Sequence, residues 1–252
     1  MNRWFNSSCF SVVDIFAQQM YNTGNSHRKK ANPMKKTNPA QLAARLGIYL
    51  LGLLVLAFGI ALSVNSNLGV SPVSSLPYVV SQILKISLGT CTTIVYAVYI
   101  LLQMLLNGRK FQPALLLQLV FSTIFGYFVD GAKYILGDFV LPTYFGQLAM
   151  LAASILLIGF SLVLYIEVDL APMPAEGLVG CLAKKLGKPF PTMKILFDCA
   201  SVLVGTVLCF LFLGKLVGIR EGTVITALLA GKVMGAFRKR LSPLIRKVCF
   251  GE

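Results

Sequence analysis

Three ionisable side chains stand among long apolar runs of this sequence: Glu176, Lys194 and Asp198. An ionised side chain at the centre of a membrane helix costs on the order of 3 kcal/mol, so such groups usually pair or face water. Lys194 and Asp198 are four residues apart, on one helix face, and one interpretation is that they only satisfy each other. Glu176 has no charged neighbour at helical spacing. A buried carboxylate of this kind often titrates or binds a cation, which makes Glu176 the first candidate.

A second set of candidates surrounds two short segments that begin at prolines and a later helix start. Helix N-termini offer unpaired N–H groups and a partial positive charge to an anion. Short helices at matching positions of two halves indicate a transporter binding site; ordinary turns with serine caps are the alternative. Arg220 is a candidate partner for Glu176 or Asp198, and Thr223 a candidate cap. The set comprises Ser71, Pro72, Pro172, Pro174, Arg220, Glu221 and Thr223.

The segments that carry these residues are too apolar for a soluble protein. Hydrophobic residues make up 56% of the chain and charged residues 13%, against about 25% charged in a typical soluble domain. The charge-free stretches are 46–84, 86–108, 111–129 and 139–166. About 20 apolar residues cross a bilayer, and backbone groups in lipid must bond internally. We therefore expect a polytopic helical membrane protein, with the lipid bilayer as its first partner.

The net charge of +14 comes largely from the two ends of the chain. Twelve of the 23 basic residues lie at or before Arg45 or after Ala236. The positive-inside rule places such ends in the cytoplasm, and anionic lipid headgroups would attract them. No nucleic-acid recognition motif accompanies the charge, so we do not expect a nucleic-acid partner.

The apolar body contains an internal repeat. A shift of 100 residues lays Gly59 on Gly159, Pro72 on Pro172 and Lys85 on Lys185, and a shift of 109 lays Gly126 on Gly235. The same shifts place the charged residues of the second copy opposite uncharged ones: Glu176, Lys194, Asp198, Arg220 and Glu221 face Leu76, Ile94, Val98, Phe111 and Gln112. The first copy manages without charge there, so we interpret these five charges as functional.

Each copy is predicted to hold three long helices and one short proline-led helix. The predicted long helices are 44–65, 88–107 and 113–130, then 146–167, 191–213 and 222–238; the short ones are 73–85 and 175–186. The short helices either span, giving eight crossings with parallel repeats, or re-enter, giving six with inverted repeats. Counts of basic residues do not decide between the two.

The domain boundaries follow from these segments. We predict a polar extension at 1–40, repeats at 41–133 and 146–240, a linker at 134–145 and a basic cytoplasmic tail at 241–252. The extension is either disordered or lies partly before the natural start, for which Met34, followed by Lys35 and Lys36, is our hypothesis.

Motifs for catalysis, metals and cofactors are missing from the sequence. The chain has one histidine and six cysteines without a C-x-x-C pair, and no nucleophile–base pair, Walker loop or dinucleotide fingerprint is found. We expect no catalytic residue, no metal and no cofactor, and therefore not an enzyme.

Six short motifs resemble the YczE/YyaS/YitT group of bacterial membrane proteins over about 45–240. They are Leu68-Gly69-Val70-Ser71-Pro72, Ser87-Leu88-Gly89-Thr90, Phe125-Gly126-Tyr127-Phe128-Val129-Asp130, Pro172-Met173-Pro174-Ala175-Glu176-Gly177, Lys194-Ile195-Leu196-Phe197-Asp198 and Arg220-Glu221-Gly222-Thr223. The resemblance implies a bacterial plasma-membrane protein and names no substrate.

The sequence favours a small-molecule or ion transporter with its site between the repeats. The alternative is a non-transporting membrane scaffold or accessory subunit, in which the charges are internal ion pairs. The oligomeric state stays open, a homo-oligomer included.

Overall fold

The computed structural model describes residues 39–107 and 114–250, and both ranges are helical without strands. The predicted extension at 1–40 lies almost wholly outside the described residues. Eight α-helices follow in order: α1 Pro39–Asn65, α2 Pro72–Leu84, α3 Leu88–Asn107, α4 Ala114–Leu136, α5 Tyr144–Glu167, α6 Pro174–Leu186, α7 Phe190–Leu208 and α8 Glu221–Phe250. A π-helical turn, Cys209–Leu213, continues α7.

Five of these helices are long and apolar enough to cross a membrane: α1, α3, α4, α5 and α7 with its π-helical turn. The short helices α2 and α6 have 13 residues each, about 20 Å at 1.5 Å per residue. The expected fold class, a helical membrane bundle, is confirmed. The internal repeat remains a prediction.

The central contact of the bundle is between α1 and α5, which run in opposite directions. A Cβ at Gly52 would lie 3.1 Å from the Leu164 Cβ, and a Cβ at Gly59, two turns later, would lie 2.9 Å from the Ile158 Cγ1. Glycine lets the backbones approach this closely, as small residues do in membrane helix pairs. We call the end of the bundle where α1 begins end A, and the end where α1 finishes end B.

The other long helices of the first half are oriented by a few polar contacts. Asn65 at the end of α1 donates to the Gly137 carbonyl after α4, so α4 also finishes at end B. Helix α3 is antiparallel to α4, because Asp130 of α4 accepts from the Gly89 backbone N–H at 2.6 Å. Helix α3 therefore finishes at end A.

The short helix α6 lies along the last part of α3, on the side of end A. Gln103, in the last part of α3, donates to the Pro174 carbonyl at 3.0 Å, and Asn107 at the end of α3 contacts the Cys181 sulfur at 3.4 Å. Pro174 and Cys181 of α6 thus both lie beside the last part of α3. Of the two arrangements left open by the sequence, re-entrant short helices agree with this path, and the inverted relation of the two halves remains a prediction.

The short helix α2 lies at end B against residues of the second half. Gly222 at the start of α8 donates to the Leu68 carbonyl, and Val70 donates to the Gly218 carbonyl. Val79 of α2 packs with Cys209 and Ile219. Each short helix is therefore held by the opposite half: α2 by α7 and α8, α6 by α3.

Three helices extend beyond the sequence prediction, and the first of them, α1, begins at Pro39 rather than at 44. Helix α4 continues to Leu136 rather than stopping at 130, and α8 continues to Phe250 rather than stopping at 238. The short helices begin within one residue of their predicted starts, because proline is accepted in the first helical turn, where its missing N–H has no partner to lose. Both stop at a left-handed residue, Lys85 (φ 55°) or Gly187 (φ 61°).

The crossing of α3 and α4 yields a stability prediction. A Cβ at Gly89 would meet the Gly126 carbonyl oxygen and the Asp130 carboxyl, so Gly89→Ala must push two backbones apart. Overpacking of this kind costs about 1–3 kcal/mol. We expect a loss of that size in the free energy of unfolding, measured by SDS titration in mixed micelles.

The matched control for this substitution is Gly131→Ala, on α4 beside the crossing. A Cβ at Gly131 meets nothing within 4 Å, and alanine favours the helix by about 1 kcal/mol over glycine. Equal effects of the two substitutions would contradict the packing described for α3 and α4.

Candidate functional site

Glu176 lies in the first turn of α6, between helices of both halves. Its Oε1 accepts a hydrogen bond from the Tyr165 hydroxyl of α5 at 3.3 Å. Its Oε2 is buried, and no described residue donates a hydrogen bond to it. A buried polar atom without a partner is costly and calls for an explanation. This oxygen is the most unusual feature of the candidate site.

The start of α6 is fixed by side chains of the first half. The Tyr49 hydroxyl of α1 donates to the Ala171 carbonyl at 3.1 Å, and Gln103 holds the Pro174 carbonyl. A Cβ at Gly177 would lie 2.5 Å from the Gln103 Oε1 and 2.9 Å from the Gln118 Nε2. Glycine at 177 thus lets two buried glutamines approach the helix directly beside Glu176.

Aromatic rings form the surroundings of this helix start. The Tyr49 ring lies 4.5 Å from the Phe121 ring and 6.2 Å from the Tyr165 ring, centroid to centroid. Tyr96 stacks on Phe125 at 6.2 Å. The hydroxyl groups of Tyr49, Tyr96 and Tyr165 are within electrostatic range of the Glu176 carboxyl. The carboxyl group therefore sits in a largely apolar environment with a few hydroxyl groups.

The Lys194 and Asp198 pair lies on α7 next to this environment. The Lys194 Nζ is 2.6 Å from the Asp198 Oδ1, and each side chain is about one quarter exposed, at 23% and 24%. Both charges act electrostatically on the Glu176 carboxyl. The structure thus brings together Glu176, Lys194 and Asp198 and also forms the internal ion pair that the sequence left as the alternative.

The two prolines of the second link flank this site. Pro174 is buried and opens α6, and Pro172 is exposed in the link that leads to it. Neither offers a side-chain polar group, so their role here is to set the position of the helix start.

The remaining candidates form a separate cluster at end B. Ser71 bonds to Ser74 at the start of α2, Pro72 is buried in its first turn, and the hydroxyl of the buried Thr223 accepts from the Arg220 backbone N–H at 3.4 Å. Arg220 and Glu221 pair at 3.1 Å with about half of each side chain exposed. Arg220 and residues around it, among them Asn67 and Tyr78, line a pocket of about 190 Å³.

The sequence expectation that Arg220 pairs with Glu176 or Asp198 is wrong. The Arg220 guanidinium donates to the Asn67 carbonyl at 3.0 Å and to Glu221, because the start of α8 is at end B whereas Glu176 is at end A. The pKa of Glu221 is lowered, first by its own backbone N–H at the helix start and then by Arg220. Five charges predicted as one site are therefore two groups.

Sequence reasoning missed a charged cluster at end A that is centred on Glu167. This carboxylate is fully buried, with its Oε1 2.6 Å from the Arg238 Nε and its Oε2 3.3 Å from the Arg246 Nε. The Ser242 hydroxyl donates to Oε2 at 2.8 Å. Nearby, Arg45 donates to the carbonyls of Val168 and Asp169 beyond the end of α5.

A signal for this cluster was present in the sequence. Arg238, Ser242 and Arg246 are spaced four residues apart, which places them on one face of a helix. The sequence prediction instead ends the helix at 238 and places Ser242 and Arg246 in a basic tail at 241–252. Their bonds to Glu167 explain why α8 continues past residue 238.

The Glu167 cluster predicts unequal effects of two substitutions on stability. Glu167→Gln leaves Arg238, only 19% exposed, facing a neutral side chain, and breaking a buried pair costs about 3 kcal/mol. Arg246→Gln removes a half-exposed arginine, for which about 1 kcal/mol or less is expected. Thermal unfolding in detergent would measure both, with Asp138→Asn, on an exposed residue, as the control. Equal losses would contradict this arrangement.

The chain is similar to two curated proteins of Bacillus subtilis (strain 168). It is 27% identical over 197 residues to the "Uncharacterized membrane protein YczE", covering 77% of this chain and 85% of the relative. It is 26% identical over 191 residues to the "Uncharacterized protein YyaS", covering 75% and 90%. No solved structure matches the chain.

The family model described as "Family of unknown function (DUF6198)" matches residues 43–239. This range contains all eight helices up to the middle of α8, and with them the Glu176 environment and both short helices. The expected resemblance to YczE and YyaS is confirmed, and the chain belongs to the DUF6198 family of membrane proteins.

Proposed function

We propose that this protein is a small-molecule or ion transporter whose binding site is centred on Glu176. The observation that carries the proposal is the buried Glu176 Oε2, to which no described residue donates. Structural carboxylates in proteins are normally paired, as Glu167 is here. A carboxyl oxygen kept without a partner inside a membrane bundle is a typical functional group.

The position of Glu176 supports the proposal. Its neighbours come from α1, α3, α5 and α7, so both halves of the bundle contribute to the site. It lies at the start of a short helix that does not cross the bundle, and such helix starts at the junction of repeats are typical of transporter sites.

The proposed orientation places end A in the cytoplasm of a bacterial plasma membrane. The start of α1 and the end of α8 both lie at end A. Arg45, Arg238 and Arg246 lie there as well. Basic residues near membrane helices favour the cytoplasmic side. Both termini of the protein would then be cytoplasmic.

The experiment is complementation of a deletion strain, read out by metabolite and ion profiling. We expect the wild-type chain to restore the metabolite and ion profile of the deletion strain. Glu176→Gln keeps the shape of the side chain and removes its charge, and it should restore at most about one tenth of that difference. Asp138→Asn, on the exposed loop residue after α4, is the matched control and should restore the profile. Restoration by Glu176→Gln at normal protein levels would contradict the proposal.

The scaffold alternative rests on the 2.6 Å pair of Lys194 and Asp198, which satisfy each other. Asp198→Asn separates the two functions. A transporter should still assemble with this substitution, by size-exclusion chromatography in detergent, and should lose the restored profile. A scaffold or accessory subunit should instead lose thermal stability or capture of a partner, and its effects should not be shared with Glu176→Gln.

A further inference from the structure

We infer that Glu176 binds and releases a proton, so that the coupling ion of the proposed transporter is H⁺. The inference deepens the proposed function, since it names the ion taken by the same site. It rests on the geometry around Oε2 and on the charges that face the carboxyl group, and it has a readout that needs no knowledge of the transported substrate.

The hydrogen bonding around Glu176 fits a protonated carboxyl group. An ionised carboxylate is a pure acceptor and needs several donors when buried. The Tyr165 hydroxyl donates to Oε1 at the long distance of 3.3 Å, and the backbone N–H of Glu176 itself also acts on the carboxyl group. Oε2 has no donor among the described residues. Gln118, which packs against the adjacent Gly177, also has a buried acceptor, Oε1, without a donor among the described residues. A proton on Oε2 supplies a donor to a region that otherwise holds two unmatched acceptors.

The surroundings favour a proton over a metal cation on steric and chemical grounds. A metal cation takes six or so oxygen ligands at short distance. The groups packed at the start of α6 are mainly aromatic rings, with the side chains of Gln103 and Gln118 against Gly177 and the Tyr49 hydroxyl donating to the Ala171 carbonyl. A proton needs one oxygen and no additional space.

The charges facing Glu176 allow the proton to leave as well as to bind. With Glu176 ionised, this group, Lys194 and Asp198 sum to one negative charge, and a single proton neutralises it. On release, the O–H bond of the carboxyl group breaks, the electron pair stays on the carboxylate, and the proton passes to water. The Lys194 ammonium then stabilises the anion. The ionisable groups that act on Glu176 or on its tyrosine neighbours are Tyr49 of α1, Tyr96 and Tyr99 of α3, Tyr165 of α5, and Lys194 and Asp198 of α7.

The test is infrared difference spectroscopy of the purified full-length protein in lipid nanodiscs over a pH series. The carbonyl stretch of a protonated carboxylic acid is separate from that of a carboxylate. We expect the wild-type protein to keep one such band at pH values where ordinary carboxyl groups are ionised, and Glu176→Gln to lose it. Asp138→Asn, the exposed control, should keep it. An unchanged band in Glu176→Gln, or none in the wild-type protein, would overturn the inference.

A second variant keeps the test decisive if Glu176→Gln folds poorly. Tyr165→Phe leaves the carboxyl group in place and removes the hydroxyl that stabilises its charged form. The midpoint of the band should therefore move to higher pH. A midpoint that stays at the wild-type value would count against the assignment to Glu176, since a merely structural role for Tyr165 predicts no such shift.

The outcomes for proton binding and for transport are separable. If the band disappears in Glu176→Gln while this variant still restores the deletion strain, the proton site stands and the transport function falls. If the band does not depend on Glu176 but the variant fails to restore the strain, transport stands and its ion or substrate is a different cation.

Discussion

The close approach of α1 and α5 at Gly52 and Gly59 is the constraint on which the rest of the structure depends. The two helices run in opposite directions and approach each other closely at these two glycines. Because their directions are opposite, α5 finishes where α1 begins, and the link after α5 is delivered to the early part of α1. There Arg45 and Tyr49 donate hydrogen bonds to backbone carbonyl groups of the link. The position of α6, and of Glu176 within it, follows from this pairing.

Glu167 and Glu176, both near end A, differ in how their buried carboxylate oxygens are hydrogen-bonded. Glu167 is buried with two arginines and a serine on its oxygens, which is the arrangement expected of a group that holds helices together. Glu176 accepts a long hydrogen bond from the Tyr165 hydroxyl, and its Oε2 has no donor among the described residues. Burial without partners lowers stability, and proteins retain such costs mainly at sites of function. Glu167, with partners on both oxygens, is therefore a structural carboxylate, whereas Glu176, with an unpaired oxygen, is the candidate site.

Most of the helices could be predicted from the sequence, and most of the tertiary pairing could not. Apolar length and the prolines locate the helix starts to within a few residues, because lipid demands helices and proline accepts the first turn. The proximity of Glu176 to the Lys194–Asp198 pair could be predicted, because all three charges lie in the second half of the chain. Arg220 was assigned to the wrong end because charge alone does not tell which helix ends meet. The pairing of Glu167, the last residue of the predicted helix 146–167, could not be predicted, since its arginine partners are more than 70 residues away along the chain.

The glycine crossing of α3 and α4 has a consequence for how such a protein can move. With the Gly89 backbone against the Gly126 carbonyl and Asp130 bonded to the start of α3, these helices cannot slide or rotate past each other without losing both contacts. The two helices are therefore expected to move together. Because Gln103 near the end of α3 bonds to the first residue of α6, a displacement of the α3–α4 pair would also displace the start of α6 and Glu176.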